Sequence, residues 1–160
     1  MIRILVFLII CLNFNNCGFK PMYKSDGMGI ELDRLSLNFK GDVAYEIKEE
    51  LNNLISTEQK NKDYQVTVEV KQELVPVIIN ENGTVSKYQI DISLFFEVID
   101  KFGDVIIDDV AIGFAQYDVL LSEIENRDLK EQMLRSATND AASLMITKIQ
   151  SKLLSLNNDN

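Results

Sequence analysis

The stretch from Tyr64 to Tyr117, YQVTVEVKQELVPVIINENGTVSKYQIDISLFFEVIDKFGDVIIDDVAIGFAQY, decides the fold. It reads as two long strands joined at Asn82-Gly83, with a third joined at Asp100-Lys101-Phe102-Gly103-Asp104. Asn-Gly between apolar runs is a strong hairpin signal, because a type I′ turn needs positive φ at both central residues. After that turn Tyr88, Ile90, Ile92, Leu94, Phe96 and Val98 alternate with Lys87, Gln89, Asp91, Ser93 and Glu97. A period of two puts one face on a core and the other towards water or a partner. The five-residue turn keeps that parity. It sets Val98 opposite Ile106, Leu94 opposite Val110, Ile92 opposite Ile112 and Ile90 opposite Phe114.

The incoming strand carries an irregularity. Val66, Val68 and Val70 form one apolar face, and a two-residue Asn82-Gly83 loop would set Lys71 against Leu94 and Glu69 against Phe96. The alternation slips at Glu73-Leu74-Val75-Pro76. One extra residue there would restore Val70 opposite Leu94 and Val68 opposite Phe96, and Pro76 suits a bulge because it donates nothing to a ladder. The sequence therefore predicts a bulge or bend near Pro76 and a hairpin that continues beyond it, past the helix-covered core, to a polar tip at Asn80-Glu81-Asn82-Gly83-Thr84.

Outward from this unit, Ile30 to Phe39 reads as a strand with Leu35, Leu37 and Phe39 on one face. Gly41-Asp42 ends it, and Asp42 is placed to cap a helix. In that helix Val43, Ile47, Leu51 and Leu54/Ile55 recur at helical spacing, with Glu46, Lys48, Glu49 and Glu50 on the far side. Beyond Tyr117, Ser122 and Glu125 match a capping box for a long helix. Its buried stripe is Leu129, Met133, Ala137, Ala141, Leu144/Met145, Ile149 and Leu153. The small residues from Ser136 to Ser143 would bring it close to the sheet, and Asn157 to Asn160 is a polar end. The predicted order is β-α-β-β-β-α. This is an α+β two-layer sandwich, with two helices packed on one face of a four-stranded, mostly antiparallel sheet.

The N-terminal part reads differently. Met1 to Asn16 has one charge, Arg3, before an apolar run from Ile4 to Leu12, the layout of a signal peptide. That run is about half of the roughly 20 residues a spanning helix needs. Cys17 follows at the place where bacterial lipoproteins are cut and acylated, with Asn15 and Asn16 where small residues are usual. Lys20 to Gly29, with Pro21, Gly27 and Gly29 among polar residues, reads as a tether. The chain thus divides into a signal peptide at 1–16, a lipidated tether at 17–29, a folded domain at 30–156 and a polar tail at 157–160.

Composition narrows the chemistry. The 160 residues include 16 Lys and Arg against 25 Asp and Glu, a net charge of −9 that becomes −10 once Arg3 leaves with the signal peptide. That charge argues against nucleic-acid binding, which draws on clustered Lys and Arg. The chain has no His, so the usual general base and the common metal ligand are missing. Its two cysteines, Cys11 and Cys17, both lie ahead of the domain, which therefore has no disulfide framework and no thiolate metal site. Asp108-Asp109 with Asp91 and Glu97 resembles a carboxylate cluster, but neighbours on a strand point to opposite faces. Gly27-Met28-Gly29 lacks the further Gly and helix start of a phosphate loop. Asn82-Gly83-Thr84 matches a glycosylation acceptor, and the hairpin already accounts for it. With no nucleophile and matching base, and no cofactor or metal motif, the sequence points to a binding or assembly protein and not an enzyme.

Cys17-Gly18-Phe19-Lys20-Pro21-Met22-Tyr23 resembles the start of mature LPS-assembly lipoproteins (LptE), especially those of alphaproteobacteria. Gly83 to Ile90 is similar to that family's central hairpin. Ala141-Ala142 and Ile146-Thr147-Lys148-Ile149 are similar to its C-terminal helix. The resemblance implies an outer-membrane lipoprotein on the periplasmic side. Its lipid anchor would be Cys17, with Gly18 compatible with outer-membrane sorting. It would plug the LptD β-barrel, support its assembly and contact lipopolysaccharide on its way to the surface. The family uses basic residues near the hairpin tip, and here Lys87 is close to the turn while Lys101 lies at the other end of its strand. A different reading is an accessory lipoprotein of another envelope lipid-transport system with an ABC-type partner; a residual one is an envelope hydrolase.

Overall fold

The structure is a computed structural model and describes residues 34–55 and 62–158, with side chains through residue 156. The signal peptide, Cys11, Cys17, the tether and the first residues of the predicted opening strand lie outside the described residues. So do residues 159 and 160. The elements are β1 (Leu35–Lys40), α1 (Tyr45–Leu54), β2 (Tyr64–Ile79), β3 (Val85–Asp100), β4 (Val105–Asp118) and α2 (Glu123–Asn158). This is the predicted β-α-β-β-β-α order and the predicted α+β class. The sheet order is β1-β2-β3-β4, with β1 parallel to β2 and the other pairs antiparallel. A parallel pair needs a crossover, which α1 supplies.

The inner face is built by alternation. Leu35 from β1, Val66 and Val68 from β2, and Ile90, Ile92, Leu94, Phe96 and Val98 from β3 are buried. Val43, Ile47, Leu51 and Ile55 close over them from the α1 side, and Leu134, Ala137, Ala141, Ala142, Met145, Ile149 and Leu153 from α2. Each large aliphatic or aromatic side chain in such a core contributes about 1.5–3 kcal/mol. The predicted α2 stripe is buried at Ala137, Ala141, Met145, Ile149 and Leu153, half-buried at Leu129 and Met133, and exposed at Leu144. Thr138, the one buried polar residue among the described residues, donates its Oγ1–H to the carbonyl of Leu134 at 2.8 Å.

The long hairpin has the predicted body register, Val68 opposite Phe96 and Val70 opposite Leu94. Its turn is another type. Asn80 N–H donates to Thr84 O at 2.8 Å and Gly83 N–H to Asn80 O at 2.9 Å. Gly83 has φ 83, and no described residue other than glycine has positive φ. Type I′ needs two such residues, so this is a three-residue loop ending in a left-handed glycine. That loop alone gives the body register. The irregularity does fall near Pro76, but it compensates itself: Val77 is extra on β2, Ser86 is extra on β3, and Ile79 again faces Val85.

The β3–β4 turn repeats the device. Asp100 N–H donates to Asp104 O at 3.0 Å, Gly103 N–H to Asp100 O at 3.1 Å, and Gly103 has φ 94. Here the predicted parity fails. Ile99 faces Val105, but Val98 faces Ile107, so Ile106 is bulged out. Leu94 therefore opposes Ala111, Ile92 opposes Gly113 and Ile90 opposes Ala115, each one residue off the expected partner. The reason lies across the sheet. A Cβ on Gly113 would stand 2.2 Å from the backbone O of Ala137 and 2.5 Å from the N of Ala141. The α2 helix rests directly on β4, so small residues must face it, and Val110, Ile112 and Phe114 turn outward.

Two helix ends also differ from expectation. The α1 N-cap is Ala44, without a side-chain cap bond, so Asp42 does not cap it. At the other end α2 runs through Asn158, into the stretch read as a polar tail. The Ser122 cap is present, with Glu125 N–H donating to Ser122 Oγ at 3.4 Å. Asn126 adds a clamp there: its Oδ1 accepts from Leu120 N–H and its Nδ2 donates to Leu120 O, both at 2.6 Å.

Candidate functional site

Two surfaces are left uncovered by the helices, and both follow from strand lengths and parity. The first is the far half of the hairpin. β1 has six residues and stops opposite Glu69, whereas β2 has sixteen. From Val70 to Ile79, β2 has no strand neighbour on that side among the described residues. Leu74, Val75, Val77, Ile78 and Ile79 are exposed there. Ile90 is the last fully buried residue of β3 before the turn, so the hairpin runs on roughly 20 Å beyond it at about 3.3 Å per residue. The tip is polar and internally tied. Asn80 Nδ2 donates to Thr84 Oγ1 at 3.0 Å, and Asn82 Oδ1 accepts from Thr84 N–H at 3.1 Å and from its hydroxyl at 2.7 Å.

Lys87 sits just below the tip, half-buried, with its Nζ 3.3 Å from Asp118 Oδ1. Beside it Tyr88 and Tyr117 form a cross-strand pair, ring centroids 5.9 Å apart, stacked at 30°. Burial, and secondarily Tyr88, raises the Tyr117 phenol above its ordinary value of 10.0. Lys101 is in the opposite turn, its Nζ 5.1 Å from the Phe102 ring centroid. At about 3.3 Å per residue the two lysines stand roughly 45 Å apart, so they form no single cluster.

The second surface is the helix-free face of the sheet. The bulge at Ile106 puts Val110, Ile112 and Phe114 there, and Phe95 stands opposite Val110. Phe95 is 47% exposed, Ile112 56% and Phe114 59%. The sequence reading missed this stripe. Its one available signal was Phe95-Phe96, since adjacent strand residues must face opposite ways.

The acidic residues separate as expected. Asp109 faces α2, where Lys148 Nζ donates to its Oδ2 at 2.8 Å and to the carbonyl of Val110 at 2.9 Å. The Lys148 hydrogen bond, with the N–H of Val110, lowers the Asp109 carboxyl below its ordinary 3.8. Asp108 turns to the open face, directly opposite Glu97. No group of three or more metal-ligating side chains occurs among the described residues, and none of the described helices is long and apolar enough to cross a membrane.

No family model and no curated protein matches this sequence. Solved structures do. A candidate lipoprotein from Caulobacter crescentus CB15 superposes with a TM-score of 0.63 at 13% identity, covering 78% of this chain and 93% of that one. Rare lipoprotein B from Shewanella oneidensis gives 0.60 at 12%, covering 77% and 98%. A minor lipoprotein from Acinetobacter baumannii gives 0.53 at 17%, covering 73% and 90%. At these identities the likeness is one of fold: the chain has the α+β fold of these bacterial lipoproteins along nearly their whole length.

Proposed function

We propose that this protein is an outer-membrane lipoprotein, anchored through Cys17 on the periplasmic side. In this reading it plugs an LptD-type β-barrel, supports its assembly, and so serves lipopolysaccharide transport to the cell surface. The observation that carries the reading is the fold shared with rare lipoprotein B, 98% of which is covered. The Cys17-Gly18-Phe19-Lys20-Pro21 start and the hairpin resemblance support it from the sequence side. The role is one of binding and needs no catalytic residue. More than one acyl chain on Cys17 would hold the protein firmly, since stable anchoring takes at least two signals. Lys87 is the proposed contribution to lipopolysaccharide contact near the tip, and Lys101 would act separately at the other end of the sheet.

The test is a pull-down from detergent-solubilised membranes through a C-terminal tag. A large outer-membrane barrel should co-purify with an acylated protein. An inner-membrane ABC-type partner instead would favour an accessory role in another lipid-transport system. Unchanged surface lipopolysaccharide in cells lacking the protein would also sink the barrel reading. Unchanged lipopolysaccharide binding by Lys87→Asp would remove Lys87 from it.

A further inference from the structure

The helix-free sheet face combines two features that a solvated surface does not explain. One is the contiguous stripe of Phe95, Val110, Ile112 and Phe114 on adjacent strands. Large apolar side chains grouped in this way on a rimmed face mark interaction sites. The other is the charge around it. The lysines that alternation puts on this face are each held by a carboxylate: Lys40 by Glu69 at 2.8 Å, Lys71 by Glu73 at 2.8 Å and Lys87 by Asp118 at 3.3 Å. Asp91, opposite Phe114, accepts a neutral bond from Gln89 Nε2 at 2.7 Å and has no ion pair among the described residues. Glu97 and Asp108 oppose each other; Lys40, paired with Glu69, also attracts Glu97 from a distance, and no cation of the described residues reaches ion-pair distance of either. Like charges directly across a ladder disfavour it, and Lys40 is already shared with Glu69, so an incoming cation would relieve the pair further.

We propose that this face docks a partner protein whose surface carries apolar side chains flanked by Lys or Arg. Ile112 and Phe114 would be the apolar anchors; Asp91, Glu97 and Asp108 would be the rim that selects the partner by charge. The surplus of carboxylates opposes two other occupants, a second copy of this acidic chain and an anionic lipid surface. The identification of the partner as the barrel's inner wall rests on the proposed function; the docking face does not.

Photo-crosslinking in living cells tests it. A photoreactive phenylalanine replaces Ile112 or Phe114 in the full-length protein, with Leu144 and Leu154 on α2 as helix-side controls. The sheet positions should give a protein adduct and the controls none. Glu97→Lys with Asp108→Lys should lower the adduct yield about tenfold, in protein whose circular dichroism shows the fold retained. Equal adducts from the helix positions would overturn the proposal. So would adducts only with lipid or with the protein itself, no adduct at either sheet position, or a yield unmoved by the charge reversal. A charge-sensitive adduct with a protein that is not an outer-membrane barrel would leave the docking face standing and remove the barrel reading.

Discussion

Gly113 is the residue at which helix and sheet come closest. The atoms a Cβ would meet, Ala137 O and Ala141 N, belong to the α2 backbone and cannot swing away as a side-chain end could. Gly113→Ala should therefore destabilise by about 1–3 kcal/mol or more in urea unfolding, despite the small gain in strand propensity. Gly83 is glycine for another reason. Nothing lies within 4 Å of its Cβ position, but its φ is 83, so Gly83→Ala should cost only about 1–2 kcal/mol through the left-handed backbone. Asp109 makes a pH prediction. Its folded carboxyl lies below the ordinary 3.8, so the stabilisation is present above that value and is lost as pH falls through the folded one. Asp109→Asn should flatten the loss of stability on the acid side, as pH falls below the ordinary 3.8. The site is exposed, so the effect is small, and unfolding midpoints at pH 7 and pH 3 would detect it.

At the scale of elements, α1 is held by its apolar stripe and by Arg135. Leu51 is fully buried, and Leu51→Ala should cost about 2–5 kcal/mol. Arg135 on α2 reaches Glu49 at 2.9 Å, Glu131 at 3.4 Å and Glu50 at 3.9 Å, and Asn139 Nδ2 donates to Glu50 at 3.0 Å. Arg135, Glu49 and Glu131 are partly exposed, and salt screens these pairs. Arg135→Ala should lower the thermal midpoint in dilute buffer and lose most of that effect in about 1 M salt. Leu51→Ala should keep its full effect there. That contrast separates the burial that fixes α1 from the charges that trim its orientation.

For the molecule as a whole, the sheet is longer than the helices can cover from one side, and the hairpin tip stands where cover ends. Lys87 lies there but is engaged by Asp118. If Lys87 contributes to lipopolysaccharide contact, Asp118→Asn should tighten binding severalfold at low salt, with the gain fading as salt rises. Binding that is unchanged or weaker in Asp118→Asn would assign the pair to strand pairing alone. Of this region the sequence displayed Lys87 and the polar tip. It did not display the acidic partner, because Lys87 and Asp118 meet only through the β3–β4 register.

The amino-acid pattern by itself determined the element order, the α+β class, the β3 core face and the α1 and α2 stripes, because periods of two and 3.6 are written locally. It also determined where β2 would be irregular, because Pro76 lacks a donor. Only the tertiary structure decided which residues of β4 face inward. Val110, Ile112 and Phe114 are the more apolar set, and alternation alone would bury them. The α2 backbone lies too close to Gly113 to admit them, so the chain bulges at Ile106 and presents them on the other side of the sheet.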